Sequence, residues 1–127
     1  MKRWLAVLFI TVMADVHAAW VPYGETELVG NIYYIDPDTL RKTEAGYIFN
    51  ILSNYSVPIR ESFATFQSVQ SQVELDCRHR QLREIFMNFH QQPMGKGRVV
   101  HTERGQGNFI AWPPGSVNEL LYSVVCE

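Results

Sequence analysis

Apolar and polar side chains alternate through much of the middle of the chain. Tyr47, Phe49, Ile51 and Tyr55 fall in period-two positions within 47–55, which predicts a strand with one face buried. Within 63–77, Val69, Val73, Leu75 and Cys77 alternate with Gln70, Gln72, Glu74 and Asp76, so this stretch reads as a half-buried strand. Upstream, the run Val29-Gly30-Asn31-Ile32-Tyr33-Tyr34-Ile35 is dense in β-branched and aromatic residues and predicts another strand. Asp36-Pro37-Asp38-Thr39 is expected to stop it in a tight turn or the first turn of a short helix, because Pro37 biases Asp36 away from helical dihedrals. Leu40 to Thr43 then begins a second strand, Glu44-Ala45-Gly46 reads as a hairpin loop, and 56–62, with Pro58, reads as an exposed loop.

The stretch 78–90 is ambiguous. Leu82, Ile85, Phe86 and Phe89 fit helical spacing, while Ile85, Met87 and Phe89 fit a strand; we read it as strand. Gln91 to Gly97 is a turn-rich connection, and 98–102 is a further short strand. At the C-terminus, Ser116 and Glu119 have capping-box spacing, and Val117, Leu120, Leu121, Val124 and Val125 recur on one helical face. The fold class that follows is α+β: an antiparallel, meander-like sheet of five or six strands packed by a C-terminal amphipathic helix.

The first eighteen residues have a different pattern. Lys2 and Arg3 precede an apolar stretch from Trp4 to Met13, and Val16-His17-Ala18 places small residues at the positions a signal peptidase reads. The run ends at Asp15 and His17, too short for a membrane span of about 20 apolar residues. It reads as a secretory signal, 1–18, cleaved after Ala18 or, second choice, Ala19, leaving 19–127 as a single domain with no integral membrane span. No cysteine near that point offers a lipid-attachment site.

Composition then excludes several classes. Eleven Lys and Arg against 13 Asp and Glu give −2 over 127 residues, and removal of 1–18 leaves nine against twelve, so the electrostatic footprint of a nucleic-acid binder is missing. Two cysteines are too few for a four-cysteine metal site. In an oxidising compartment Cys77 and Cys126 are most simply a disulfide, the alternative being two thiols or a redox pair, for which there is no CxxC. Closing a loop of about 50 residues is worth on the order of 4 kcal/mol in the chain-entropy model.

Several segments in order are similar to one family: Tyr33-Tyr34-Ile35-Asp36-Pro37 with Leu40-Arg41, Leu52-Ser53-Asn54-Tyr55, and Val73-Glu74-Leu75-Asp76-Cys77. Pro93-Met94-Gly95-Lys96-Gly97, Trp112 with Pro114-Gly115-Ser116, and Val125-Cys126 complete the set. Together they resemble the surface-adhesin protein E-like domain of Gram-negative bacteria across roughly 20–126. The resemblance implies a small exported sheet domain with helix support, and a partner that is a host matrix or serum protein, or another envelope protein. The family's best-known adhesin is a lipoprotein; without a lipid-accepting cysteine here, the periplasm is the expected destination, with the cell surface or medium as alternatives.

No chemistry-bearing motif competes with that reading. His79, His90 and His101 stand eleven residues apart and form no HxH or HExxH pair, so no metal or other cofactor is expected. There is no GxSxG, P-loop or dinucleotide fingerprint, and Glu74 with Asp76 is an ordinary pair of carboxylates on one strand face. An enzyme is not expected. The strongest charge feature is Arg78, Arg80 and Arg83, with Lys96, Arg98, His101 and Arg104 as a second group on a neighbouring strand; Arg78, Arg80, Arg83, Lys96 and Arg98 are the candidate partner-binding residues, against the bland reading of a solvated sheet face or edge. Tyr33, Tyr34, Tyr47, Phe49 and Tyr55 divide between core and a groove or homodimer interface. The leading expectation is a non-enzymatic, adhesin-like protein-binding module. The alternative is a periplasmic binder of an apolar or aromatic small ligand, held between sheet and helix.

Overall fold

A computed structural model describes residues 19–26 and 30–126; the expected signal segment and Val29 lie outside the described residues. Seven strands form one antiparallel sheet: β1 (Val21–Thr26), β2 (Asn31–Lys42), β3 (Gly46–Arg60), β4 (Thr65–Asp76), β5 (Gln81–His90), β6 (Val99–Arg104) and the two-residue β7 (Ile110–Ala111). The first six pair in sequence order, and β7 pairs β5 at the end that β6 leaves open. A single helix, α1 (Val117–Cys126), closes the chain. The α+β meander packed by a C-terminal helix is as the periodicities predicted.

Two expected breaks are irregularities within long strands instead. Asp36-Pro37-Asp38-Thr39 does not end β2: Asp36 pairs Asn50 and Arg41 pairs Ile48, so extra residues of β2 bulge outward between them. Side chains replace the missing ladder bonds there. The Asn50 N–H donates to Thr39 Oγ1 (2.8 Å), that hydroxyl donates to the Asp36 carbonyl (2.7 Å), and Asp36 Oδ1 accepts the Asp38 N–H (3.1 Å). Pro37 is tolerated because a bulge needs no ladder donor at that point. Likewise most of the expected loop 56–62 belongs to β3, which bulges between Asn54 and Ile59; the connection itself is closed by the Glu61 N–H to the Ala64 carbonyl (2.9 Å).

A third irregularity explains the ambiguity of 78–90. Val73 pairs Glu84 and Gln72 pairs Phe86, leaving Ile85 as the extra residue of β5. The bulge shifts side-chain parity, so Leu82 and Glu84 share a face with Met87 and Phe89. A sequence read with a fixed period of two breaks at that point.

The core forms on one face of the sheet. Under α1, Ile35, Phe49, Ile51, Val73 and Leu75 surround Leu121, which is fully buried, with Tyr23, Tyr47, Leu82, Trp112 and Val125 packed around them. Phe66, Val69 and Phe89 form a second cluster farther along, where Phe63 at the β3–β4 tip stacks on Phe66 and on the His101 ring, centroids 5.9 and 4.3 Å apart. Cys77 and Cys126 are joined by a disulfide with Cα atoms 5.7 Å apart, which ties the β4–β5 turn to the end of α1. Gly46 is required at the opposing hairpin, because a Cβ there would sit 2.2 Å from the Leu75 carbonyl oxygen.

Candidate functional site

The arginines singled out by the sequence gather around the β4–β5 turn. Asp76, 8% exposed, organises it: Oδ1 accepts the N–H groups of Arg78 and His79 (3.1 Å each), and Oδ2 lies 2.8 Å from His79 Nδ1. Burial pushes this carboxyl's pKa up, but the His79 side-chain and backbone bonds, the His79 charge and the Arg78 N–H outweigh it and hold it below the ordinary aspartate value. Arg80 closes the turn at φ 52°, the left-handed region. Its guanidinium pairs with the Glu119 carboxylate on α1 and sits 4.6 Å over the Tyr122 ring.

Glu119 therefore does not complete the capping box expected of it. Its Oε2 accepts the Trp112 Nε1–H and its Oε1 the Arg80 guanidinium, while only its backbone N–H reaches the Ser116 carbonyl (3.0 Å). A carboxylate that can meet a cation and an indole gains more there than from one further backbone donor.

Arg83 is also committed. Its Nε donates to Glu74 Oε1 (2.8 Å), its Nη1 to the Gly107 carbonyl (3.3 Å), and its guanidinium lies 4.8 Å over the Phe109 ring. Glu74 and Asp76, neighbours on one face of β4, thus serve different partners. Lys96 and Arg98 sit at the other end of β5, a strand about 30 Å long at its usual rise, so the five cations do not form one patch. Arg78, Lys96 and Arg98 are exposed and take part in no ion pair among the described residues.

Lys96 and Arg98 belong to a strap, 91–98, that folds over the sheet face opposite α1. Ser68 Oγ donates to the Gln92 carbonyl (2.7 Å) and accepts the Gly95 N–H (2.9 Å), and Asn54 Oδ1 accepts the Met94 N–H (2.8 Å). The strap buries Leu52 and Ser68 completely. His90, at its root, is 8% exposed, and burial pushes its pKa down against the smaller opposing effect of the Gly97 backbone. His79 lies beyond the far end of β5; His101 pairs Phe89, next to His90 in the register, but its ring packs on Phe63 and Phe89 and its Nε2 meets Glu103 Oε1 at 2.9 Å. Among the described residues no group of His, Cys, Asp or Glu could hold a metal ion.

Phe49, Val73, Leu75 and Leu121 pack the centre of the helix–sheet interface, each at most 1% exposed. A cleft of about 470 Å³ lies beside it, between β5, β6, the 105–113 segment and the start of α1. Glu84, Met87, Glu103 and Trp112 line it. Sequence reasoning missed these residues. The available signal was Glu84, an exposed acidic residue that the register with Val73 places on the α1 face of β5, hidden by the parity shift at Ile85.

The model of a family described as surface-adhesin protein E matches residues 20–127. Among solved structures, Haemophilus influenzae protein E in crystal form II superposes with a TM-score of 0.60 at 16% identity, covering 88% of this chain and 90% of that one. Protein E from non-typeable Haemophilus influenzae gives 0.57 at 16% identity, with 89% and 78% covered. At this identity the likeness establishes a shared fold. No curated protein matches.

Proposed function

The chain belongs to the surface-adhesin protein E family, and from that premise we propose that it is an exported, adhesin-like envelope protein that acts by protein–protein contact rather than catalysis. The observation that carries this reading is the family match over 20–127, which takes in the whole described sheet, helix and disulfide. In this reading residues 1–18 are a signal removed on export and the mature domain begins at Ala19 or Trp20. Among the described residues no helix is long and apolar enough to cross a membrane.

Of the five candidate cations, Arg78, Lys96 and Arg98 present exposed heads to a partner, whereas Arg80 and Arg83 shape the surface around them. Their partner is a protein of the host matrix or serum, or of the envelope itself, that offers an acidic surface. The test separates the two halves of the proposal. Fractionation of native cells into periplasm, outer membrane and medium locates the protein, and N-terminal sequencing finds the mature start. Capture of immobilised matrix and serum proteins by the wild type, and its loss in a variant carrying Arg78→Glu, Lys96→Glu and Arg98→Glu, is the expected result. Undiminished capture by that variant would remove these residues from the interface.

A further inference from the structure

The cleft beside α1 exists because β5 has no strand partner midway along its outer edge. β6 leaves β5 at the Phe86–Arg104 pair and β7 rejoins it at Leu82–Ile110, so the intervening chain swings out and back. Gly105 anchors this excursion: its N–H donates to the Ile85 carbonyl (3.1 Å), and a Cβ there would lie 1.5 Å from the Glu84 carbonyl oxygen, so only glycine fits. The result is an open cleft of about 470 Å³ with a mixed lining.

Its chemistry is asymmetric. Leu82, Met87 and Trp112 make the apolar part, and Ile110 at the rim is 64% exposed, more than any other large hydrophobic residue whose exposure stands out among the described ones. Glu84 and Glu103 bring two carboxylates to the same opening. Burial, and then the charge of Glu103, pushes the Glu84 pKa up, as expected of two like charges without a cation between them. Glu103 is met by His101, but no ion pair to Glu84 exists among the described residues. Two arginines border the cleft without answering this need: Arg83 is bound to Glu74, and strand alternation sends Arg104 to the side opposite Glu103.

We propose that this cleft binds a basic, amphipathic peptide segment of a partner protein, with a lysine or arginine side chain between Glu84 and Glu103 and an adjacent apolar side chain against Leu82, Met87 and Trp112. The exposed Ile110 extends the apolar contact at the rim, and Trp112 adds an aromatic face for the cation. Charge complementarity selects the occupant: the exposed cations at Arg78, Lys96 and Arg98 suit acidic surfaces, whereas this cleft suits basic ones. The inference does not depend on the adhesin reading, because it concerns a different surface and a partner of opposite charge.

The probe is an acetylated, amidated peptide of sequence Gly-Lys-Leu-Lys-Leu-Gly, titrated into the disulfide-intact exported protein, with its Glu-for-Lys counterpart as control. Intrinsic tryptophan fluorescence and backbone amide shifts are the readouts. Saturable binding of the lysine peptide, shifts centred on residues 84, 103–105 and 110–112, and at least about tenfold weaker binding by Glu84→Gln/Glu103→Gln support the site. Ile110→Ser should weaken binding as well, and Lys96→Glu/Arg98→Glu should not. The amide variants keep the shape of the carboxylates, and thermal melts verify that they fold. Equal binding of the glutamate peptide, no binding of either peptide, or unchanged affinity in the folded double variant would overturn the proposal.

Discussion

Arg80 and Glu119, thirty-nine residues apart, join the β4–β5 turn to the first turn of α1 through a guanidinium–carboxylate pair. The disulfide ties the same turn to the last residue of α1, so turn and helix are held twice, once covalently and once by charge. Because both side chains are partly exposed, at 52% and 33%, the ionic contribution is modest. A double-mutant cycle of Arg80→Ala and Glu119→Ala is expected to show a coupling of about 0.5–1 kcal/mol in urea denaturation. Glu119→Ala should cost more than Arg80→Ala, since it also removes the Trp112 indole acceptor.

Loss of the disulfide should be far more damaging. Cys77→Ser/Cys126→Ser is expected to lower stability by roughly 2–5 kcal/mol, and intact protein from an oxidising compartment should weigh two hydrogens less than its reduced form. Denaturation midpoints and intact mass before and after reduction check both.

Leu121 is the helix residue that fills the core, at 0% exposure among Ile35, Phe49, Val73 and Leu75. Leu121→Ala should cost about 2–5 kcal/mol by lost burial and the cavity left behind. Val124→Ala, on an exposed position of the same helix, should change stability by less than about 0.5 kcal/mol.

Acid should weaken the fold in two separate windows. His90 has a depressed pKa in the folded state, so the unfolded chain binds its proton first; stability falls as pH drops below the ordinary histidine value of 6.5. Asp76, also depressed, contributes stability that is present above its ordinary value of 3.8 and is lost as pH falls through its lower folded value. Denaturation curves from pH 8 to pH 2 should show both declines. His90→Phe should flatten the upper one and Asp76→Asn the lower.

Glu84 should behave in the opposite sense. Its pKa is raised in the folded state, so ionisation opposes folding, and stability is expected to fall as pH rises through the carboxylate range. Glu84→Gln should be at least as stable as the wild type at pH 7 and should lose that advantage near pH 3, by thermal melts at the two values.

Much of this fold was legible in local patterns. Period-two alternation in 47–55 and 69–77 identified β3 and β4, and the 3.6-residue recurrence from Val117 to Val125 identified α1, because each element buries one side against a common core. The two cysteines read as a pair because an oxidising compartment leaves few other uses for them. The places where local reading failed are the bulges. At Asp36–Arg41 a proline looked like a strand end, yet Thr39 and Asp36 supplied the bonds that the ladder lost. At Ile85 one extra residue reversed the inward parity and concealed Glu84.

The sequence by itself determined the antiparallel sheet with its closing helix and the chemistry of the two cysteines, since these follow from periodicity, turn residues and redox context, but it left β1 and β7 unread. Only the tertiary structure decided which of these cations stay exposed outside any ion pair among the described residues and which hold the fold. Arg78, Arg80 and Arg83 look equivalent along the chain, but Arg80 and Arg83 meet Glu119 and Glu74 from other elements, and a side chain's availability depends on partners that sequence spacing does not bring into view. The cleft is likewise a property of the sheet: it opens where β6 ends short of β7, a gap set by strand register between residues distant in sequence.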